Sequence, residues 1–270
     1  MLRAYVVNGL IMRIALLLFL LALPVTALAQ DCGADSATRI RQAYAQLPAG
    51  TLPEHGQMRI DATQGVCRVW PADTSLTLMA VPLLGEWQED GSYRDGDLDV
   101  LVIDTTTLRP RATLRLPGAM SSDAVRIEGV SLDTARYRLS ADVRAFGVRI
   151  SRSGSSQPNP FSDTRLQLFV LDKDRLTPVT GQIVMNLFSG EWDTRCTGEF
   201  NDVERTLEVE PPPAQGFATL RVRERITGII NREDAAGQCV EDRHTLPVKH
   251  YTLQPKGRSY PLPEAITASF

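Results

Sequence analysis

Histidine is scarce in this chain: His55, His244 and His250 are the only three, and no His-x-x-x-His or His-Glu pair occurs. That spacing removes the common imidazole arrangements for metal ligation. No Gly-x-Ser-x-Gly elbow is present, and Ser153 to Ser156 lie in a Ser-, Pro- and Gly-rich stretch without an orienting strand-to-helix turn, so serine-hydrolase chemistry has no support. A Gly-rich phosphate loop between strand and helix is also missing, which argues against nucleotide use. Lysine is nearly absent, with Lys173, Lys249 and Lys256 alone against 26 arginines. The arginines are spread among 32 acids for a formal net charge of −3. A sequence-independent nucleic-acid binder gathers its cations into basic patches, and nothing of that kind is present. The arginine bias itself reads as coding preference in a GC-rich genome.

Long apolar runs are missing except at the start. Ile14 to Leu23 is unbroken, follows Arg13, and ends through Pro24 in Ala27-Leu28-Ala29. This is the pattern of a secretory signal peptide over residues 1–29, cleaved before Gln30. Met12 would give the more ordinary start, one Arg followed at once by the apolar run. Pro24 and Thr26 interrupt the segment short of the roughly 18 residues a membrane span needs. Gln30 and Asp31 stand where a lipidation signal before Cys32 needs small residues. Cleavage removes two arginines and no acid, leaving a mature chain of 241 residues with a formal charge of −5 and no transmembrane segment.

All four cysteines, Cys32, Cys67, Cys196 and Cys239, lie beyond that leader. An even number in an exported chain predicts two disulfides, with three possible connectivities. The sequential pairing, 32 with 67 and 196 with 239, is preferred here. Each bridge closes a loop of about 35 to 45 residues, for which chain entropy allows about 4 kcal/mol. No two cysteines are near neighbours and none has an adjacent His, so zinc is not expected.

What is present is an internal repeat. Leu98 to Pro110, LDVLVIDTTTLRP, recurs 68 residues later as LQLFVLDKDRLTP, Leu166 to Pro178. A buried strand ending in Asp, a turn and the start of a hairpin partner is the natural reading. Ser36 to Leu47 is the one helical pattern, with Ile40, Ala43, Tyr44 and Leu47 on one face and Ser36 as a candidate cap. Short alternating stretches fill the rest. Among them are Val125 to Leu132, whose polarity switches midway and predicts a bulge, and His250 to Pro263, which reads as a C-terminal hairpin. The fold class is therefore all-β, antiparallel meanders in two related units, sandwich or propeller-like, with one short N-terminal helix. The expected organisation is residues 30–97 packed on the main domain, 98–165 as a first β unit, and 166–270 as a second.

Two stretches carry candidate sites. Glu86 to Asp99 holds Asp90, Asp95, Asp97 and Asp99 among glycines, the composition a Ca²⁺ loop uses. Its ending, Asp95-Gly96-Asp97-Leu98-Asp99, resembles the acidic loop-to-strand junction of FG-GAP-type propeller repeats. Turn chemistry explains the same aspartates. Gly190-Glu191-Trp192-Asp193, echoed by Gly85-Glu86-Trp87, sets two carboxylates beside an aromatic platform, the components of a sugar-binding or glycosidase site. The competing reading packs Trp192 into the core beside Cys196. With no cofactor implied, the expectation is a non-enzymatic binding or structural protein of the periplasm or cell envelope. Its partner is an envelope component, protein or glycan, and the alternative is a carboxylate-dependent hydrolase acting on an envelope glycan.

Overall fold

The computed structural model describes residues 31–48 and 58–268, and the expected leader over residues 1–29 lies outside them. A 3-10 turn at Gly33–Asp35 leads into α1 (Ser36–Tyr44). Then come β1 (Arg59–Ile60), β2 (Val66–Val69), β3 (Leu76–Trp87), β4 (Arg94–Asp104) and β5 (Pro110–Leu116). They form one antiparallel sheet in the order β1-β3-β4-β5, with β2 also on β3. A second, nine-stranded sheet is built from β6 (Val125–Asp133), β7 (Ala145–Gly154), β8 (Phe161–Asp172), β9 (Arg175–Pro178), β10 (Ile183–Trp192), β11 (Gly198–Val209), β12 (Leu220–Glu233), β13 (Cys239–Thr245) and β14 (Lys249–Leu253). Its order is β13-β12-β11-β10-β8-β7-β6, with β9 on β8 and β14 on β12. The boundary between sheets falls between Leu116 and Val125, so residues 98–165 supply strands to both. Among the described residues, no helix is long and apolar enough to cross a membrane.

The described residues fold as an all-β sandwich with one short α-helix. Leu78, Ala80, Leu98, Val100 and Val102 of the first sheet pack against Leu132, Phe146, Val148, Ile150 and Phe169 of the second. Phe146 stacks on Phe169 at 5.8 Å and meets the edge of Trp70. On the outer face of the first sheet, Ile40 and Ala43 of α1 cover Met79, Val81, Leu101 and Ile103. β4 thus lies in the middle of three layers, and that is why its aliphatic run is continuous rather than alternating. Each such side chain, fully buried, contributes about 1.5–3 kcal/mol. Ser36 does not cap α1: it is the first helical residue, and its Oγ donates to Gly33 O at 2.8 Å inside the preceding turn. The second sheet has a further core, where Leu166, Leu168, Val170, Met185, Leu220 and Val222 are closed over by Tyr260 and Ile266.

Both repeat copies are buried central strands of a meander, β3-β4-β5 and β7-β8-β9. Equivalence stops at the aspartate. Asp104 accepts from the backbone N–H of Thr106 and Thr107 and opens the loop 105–109, in which Leu108 takes a φ of 58°. Asp172 instead pairs with Arg258, and Lys173-Asp174 alone turn the chain. Pro110 therefore stands opposite Ile103, whereas Pro178 stands opposite Phe169. Leu176 enters the inter-sheet core, while Leu108 packs under α1. The predicted bulge is present, between Ile127 and Gly129.

The C-terminal hairpin is a correction. β14 pairs with Leu220–Glu224 of β12 and not with its own downstream arm. Tyr260 is drawn away to the Val179 carbonyl, and its hydroxyl donates to Ala218 O at 2.7 Å. A buried phenol with its hydrogen bond made outweighs a two-stranded ribbon in water. Both disulfides join the preferred partners, Cys32 with Cys67 and Cys196 with Cys239, so the first ties the α1 segment to β2. Near the C-terminus Arg205 and Glu224 form an almost fully buried pair, Nε to Oε2 at 2.7 Å. The other guanidinium nitrogens donate to Val184 O and Ala265 O, and Tyr251 Oη donates to Glu224.

Candidate functional site

The strands β10 and β11 run antiparallel from Asn186 opposite Glu204 to Trp192 opposite Gly198. Their ends carry one triplet in two copies, Gly190-Glu191-Trp192 and Gly198-Glu199-Phe200. Antiparallel pairing sets Glu191 directly opposite Glu199, and sets each glycine opposite the other copy's aromatic residue. Both glycines are required by the Phe200 ring. A Cβ on Gly190 would collide with Phe200 Cδ1 and the Glu199 carbonyl, and one on Gly198 would come within 2.8 Å of Phe200 Cζ. Phe200 lies across this bare backbone and stacks on Phe188 at 5.7 Å. The two glutamates are exposed and rise from the same face of the sheet.

The turn beyond them is fixed twice. Asp193 Oδ1 accepts from the N–H groups of Arg195 and Cys196, at 2.8 and 2.9 Å. These backbone donors, Arg195 first, hold its carboxyl below the ordinary carboxylate range. Asp234 plays the same part in the next hairpin, accepting from Ala236 and Gln238, and the Cys196–Cys239 disulfide locks the two hairpins together. On the other side, Trp192 N–H donates to Pro158 O at 2.7 Å, which anchors the loop ahead of β8. Between these supports lies an open groove of about 820 Å³. Pro158, Asn159, Trp192, Glu191, Glu199, Asn201, Ile230, Asn231 and Arg232 are among its lining. Arg232 is held by Asp242 on the neighbouring strand.

The sequence candidates Glu191 and Trp192 thus meet in one groove, and Trp192 is half-buried in its wall rather than packed in the core. Asp193 also lines the groove, but its Oδ1 is committed to the turn. Glu199, Asn201, Asn159 and Arg232 were not singled out from the sequence. The inverted Gly-Glu-aromatic triplet was the signal for Glu199; the others arrive by cross-strand neighbourhood, which one strand's sequence does not carry. The echo at Gly85-Glu86-Trp87 is unrelated to the groove. It ends β3, where Trp87 is stacked between the guanidinium groups of Arg94 and Arg126, 4.6 and 4.1 Å from the ring centre.

The aspartates of the first sheet are dispersed. Asp90 accepts from Ser92 N–H in an exposed turn, and Asp95 accepts from the Tyr93 hydroxyl at 2.7 Å. Asp97 is buried and takes the Gly118 N–H. Asp99, also buried, receives Arg115 through Nε and Nη2 at 2.7 and 2.8 Å and the Tyr44 hydroxyl at 2.8 Å. Burial, then the Asp99 charge beside it, pushes the Tyr44 phenol far up, while the Asp99 hydrogen bond raises Arg115. Among the described residues no group of three or more His, Cys, Asp or Glu comes together to hold a metal ion. The stretch holds an exposed turn at Asp90 and, within β4, a buried ion pair at Asp99, because alternate strand residues face α1 and Asp99 meets its tyrosine. No protein-family model, curated protein or solved structure matches the chain.

Proposed function

We propose that the chain is a non-enzymatic binding protein of the periplasm or cell envelope, with a glycan as the ligand of the Trp192 groove. Two disulfides fit an oxidising compartment outside the cytoplasm. The observation that carries the choice of binding over hydrolysis is the placement of Glu191 and Glu199 side by side on one strand pair. In glycosidases the two carboxyl groups flank the scissile bond, one acting as acid on the leaving oxygen and the other at the anomeric carbon. A bond lying over Glu191 and Glu199 meets both from the same side. Neither is buried, whereas a glycosidase acid is typically desolvated by its surroundings. As acceptors, however, the two carboxylates and the amide of Asn201 on the same face suit the hydroxyl donors of a sugar, and Trp192 at the end of the Glu191 strand also lines the groove.

The test is binding to an array of bacterial envelope glycans by wild type and Trp192→Ala. Wild type is expected to bind a subset. The variant is expected to lose about tenfold or more in affinity, equivalent to about 1.4 kcal/mol. An array on which wild type binds nothing, or on which the variant matches it, contradicts the reading.

A further inference from the structure

Between β6 and β7 the chain turns back on itself and sets Arg138 opposite Arg144 in an isolated antiparallel bridge. Tyr137 and Leu139 of this turn enter the core, which leaves Arg136 and Arg138 exposed. Arg144 is half-buried, and its Nε is enclosed without a hydrogen-bond partner. Burial, with Arg136 and Arg138 next to it, holds the Arg144 guanidinium below the ordinary arginine range. Arg138, its bridge partner, and Arg136 therefore both act on Arg144. Among the described residues, no carboxylate forms an ion pair with any of them.

Several other arginines of this sheet have a partner. Arg149 is answered by Asp133, Arg152 and Arg165 by Asp163, Arg205 by Glu224, and Arg126 lies on the Trp87 ring. Like charges directly opposite on paired strands are destabilising. A half-buried, unanswered guanidinium adds to that cost. An anion with several oxygens removes both, because the guanidinium fork matches a phosphate group in shape as well as charge.

We infer that Arg136, Arg138 and Arg144 form a binding site for a phosphate group, separate from the Trp192 groove. The phosphate comes from a soluble phosphate ester or from a lipid headgroup, and both present the same oxygens to the three guanidinium groups.

The experiment is thermal unfolding of the full chain in rising inorganic phosphate, with ionic strength held constant by chloride. It compares wild type, Arg144→Gln, Arg136→Gln and, as a control elsewhere on the sheet, Arg223→Gln. The wild-type and Arg223→Gln melting temperatures are expected to climb with phosphate as a single-site ligand requires. Arg144→Gln should need at least roughly tenfold more phosphate for the same rise. Without phosphate, Arg136→Gln should melt at or above wild type, since it relieves repulsion, and should respond weakly to phosphate. That opposite sign separates a binding site from a merely structural arginine. In a second arm, sedimentation with phosphatidylcholine vesicles with and without phosphatidate separates the sources. Phosphatidate-dependent sedimentation lost in Arg144→Gln assigns a lipid headgroup, and a phosphate response without sedimentation assigns a soluble ester. No phosphate-specific rise in wild type, or equal losses in Arg223→Gln, overturns the site.

Discussion

Glu224→Ala is expected to lower the unfolding free energy by about 3–5 kcal/mol, the range for removing one partner of a buried ion pair. The reason lies in what remains. Arg205 keeps its carbonyl partners Val184 and Ala265 but loses the Glu224 carboxylate, and its side chain is about 5% exposed. Tyr251 loses its acceptor as well. For a chain of this size each kcal/mol moves the melting temperature by about 2–4 °C, so a fall of roughly 10 °C should appear in a thermal scan. Replacing both partners, Arg205→Met with Glu224→Leu, should recover most of the loss, because the unpaired charge is then gone. A single substitution within about 1 kcal/mol of wild type would mean that water reaches Arg205 and that the pair is not buried in solution.

Removing the Cys196–Cys239 bridge by Cys196→Ser with Cys239→Ser is expected to cost about 4 kcal/mol by loop entropy, given its separation of 43 residues. The position of the bridge adds a functional consequence. It holds the turn after Trp192 to the turn between β12 and β13, so the ends of the groove-lining strands lose their common anchor. Stability and groove binding should fall together in this variant. The Cys32–Cys67 pair, which ties α1 to the other sheet, should cost a similar amount in stability and leave groove binding unchanged. Denaturant unfolding alongside glycan binding checks both. Equal binding losses in the two double variants would show that groove binding follows overall stability instead of the local anchor.

Much of the architecture could be read from residue patterns because it is local. The aliphatic run Val100 to Ile103 has no polar residue to present to solvent, so burial on both sides follows from sequence alone. The face of Ile40, Ala43 and Tyr44 gave the helix, and the loop lengths between cysteines favoured the pairing found. What stayed hidden depends on partners distant in the chain. The two repeat copies match through their aspartates, yet Asp104 bonds its own loop while Asp172 pairs with Arg258, and the turns diverge accordingly. Tyr260 leaves its expected hairpin because its hydroxyl acceptor, Ala218, lies far upstream. The groove was half legible: Glu191 and Trp192 stood out as a pair, whereas Asn159, Arg232 and Asn231 enter it from other strands and loops.

The groove is proposed to hold a glycan without cleaving it. The most direct measurement is to incubate the protein with the glycan it binds on the array and to assay new reducing ends. Wild type, Glu191→Gln and Glu199→Gln are compared over the same period. The glycan is expected to be recovered intact from wild type, and both variants are expected to weaken binding without changing this outcome. Reducing ends that accumulate with wild type and vanish in either glutamine variant would make the carboxylate pair catalytic and the groove a hydrolase site.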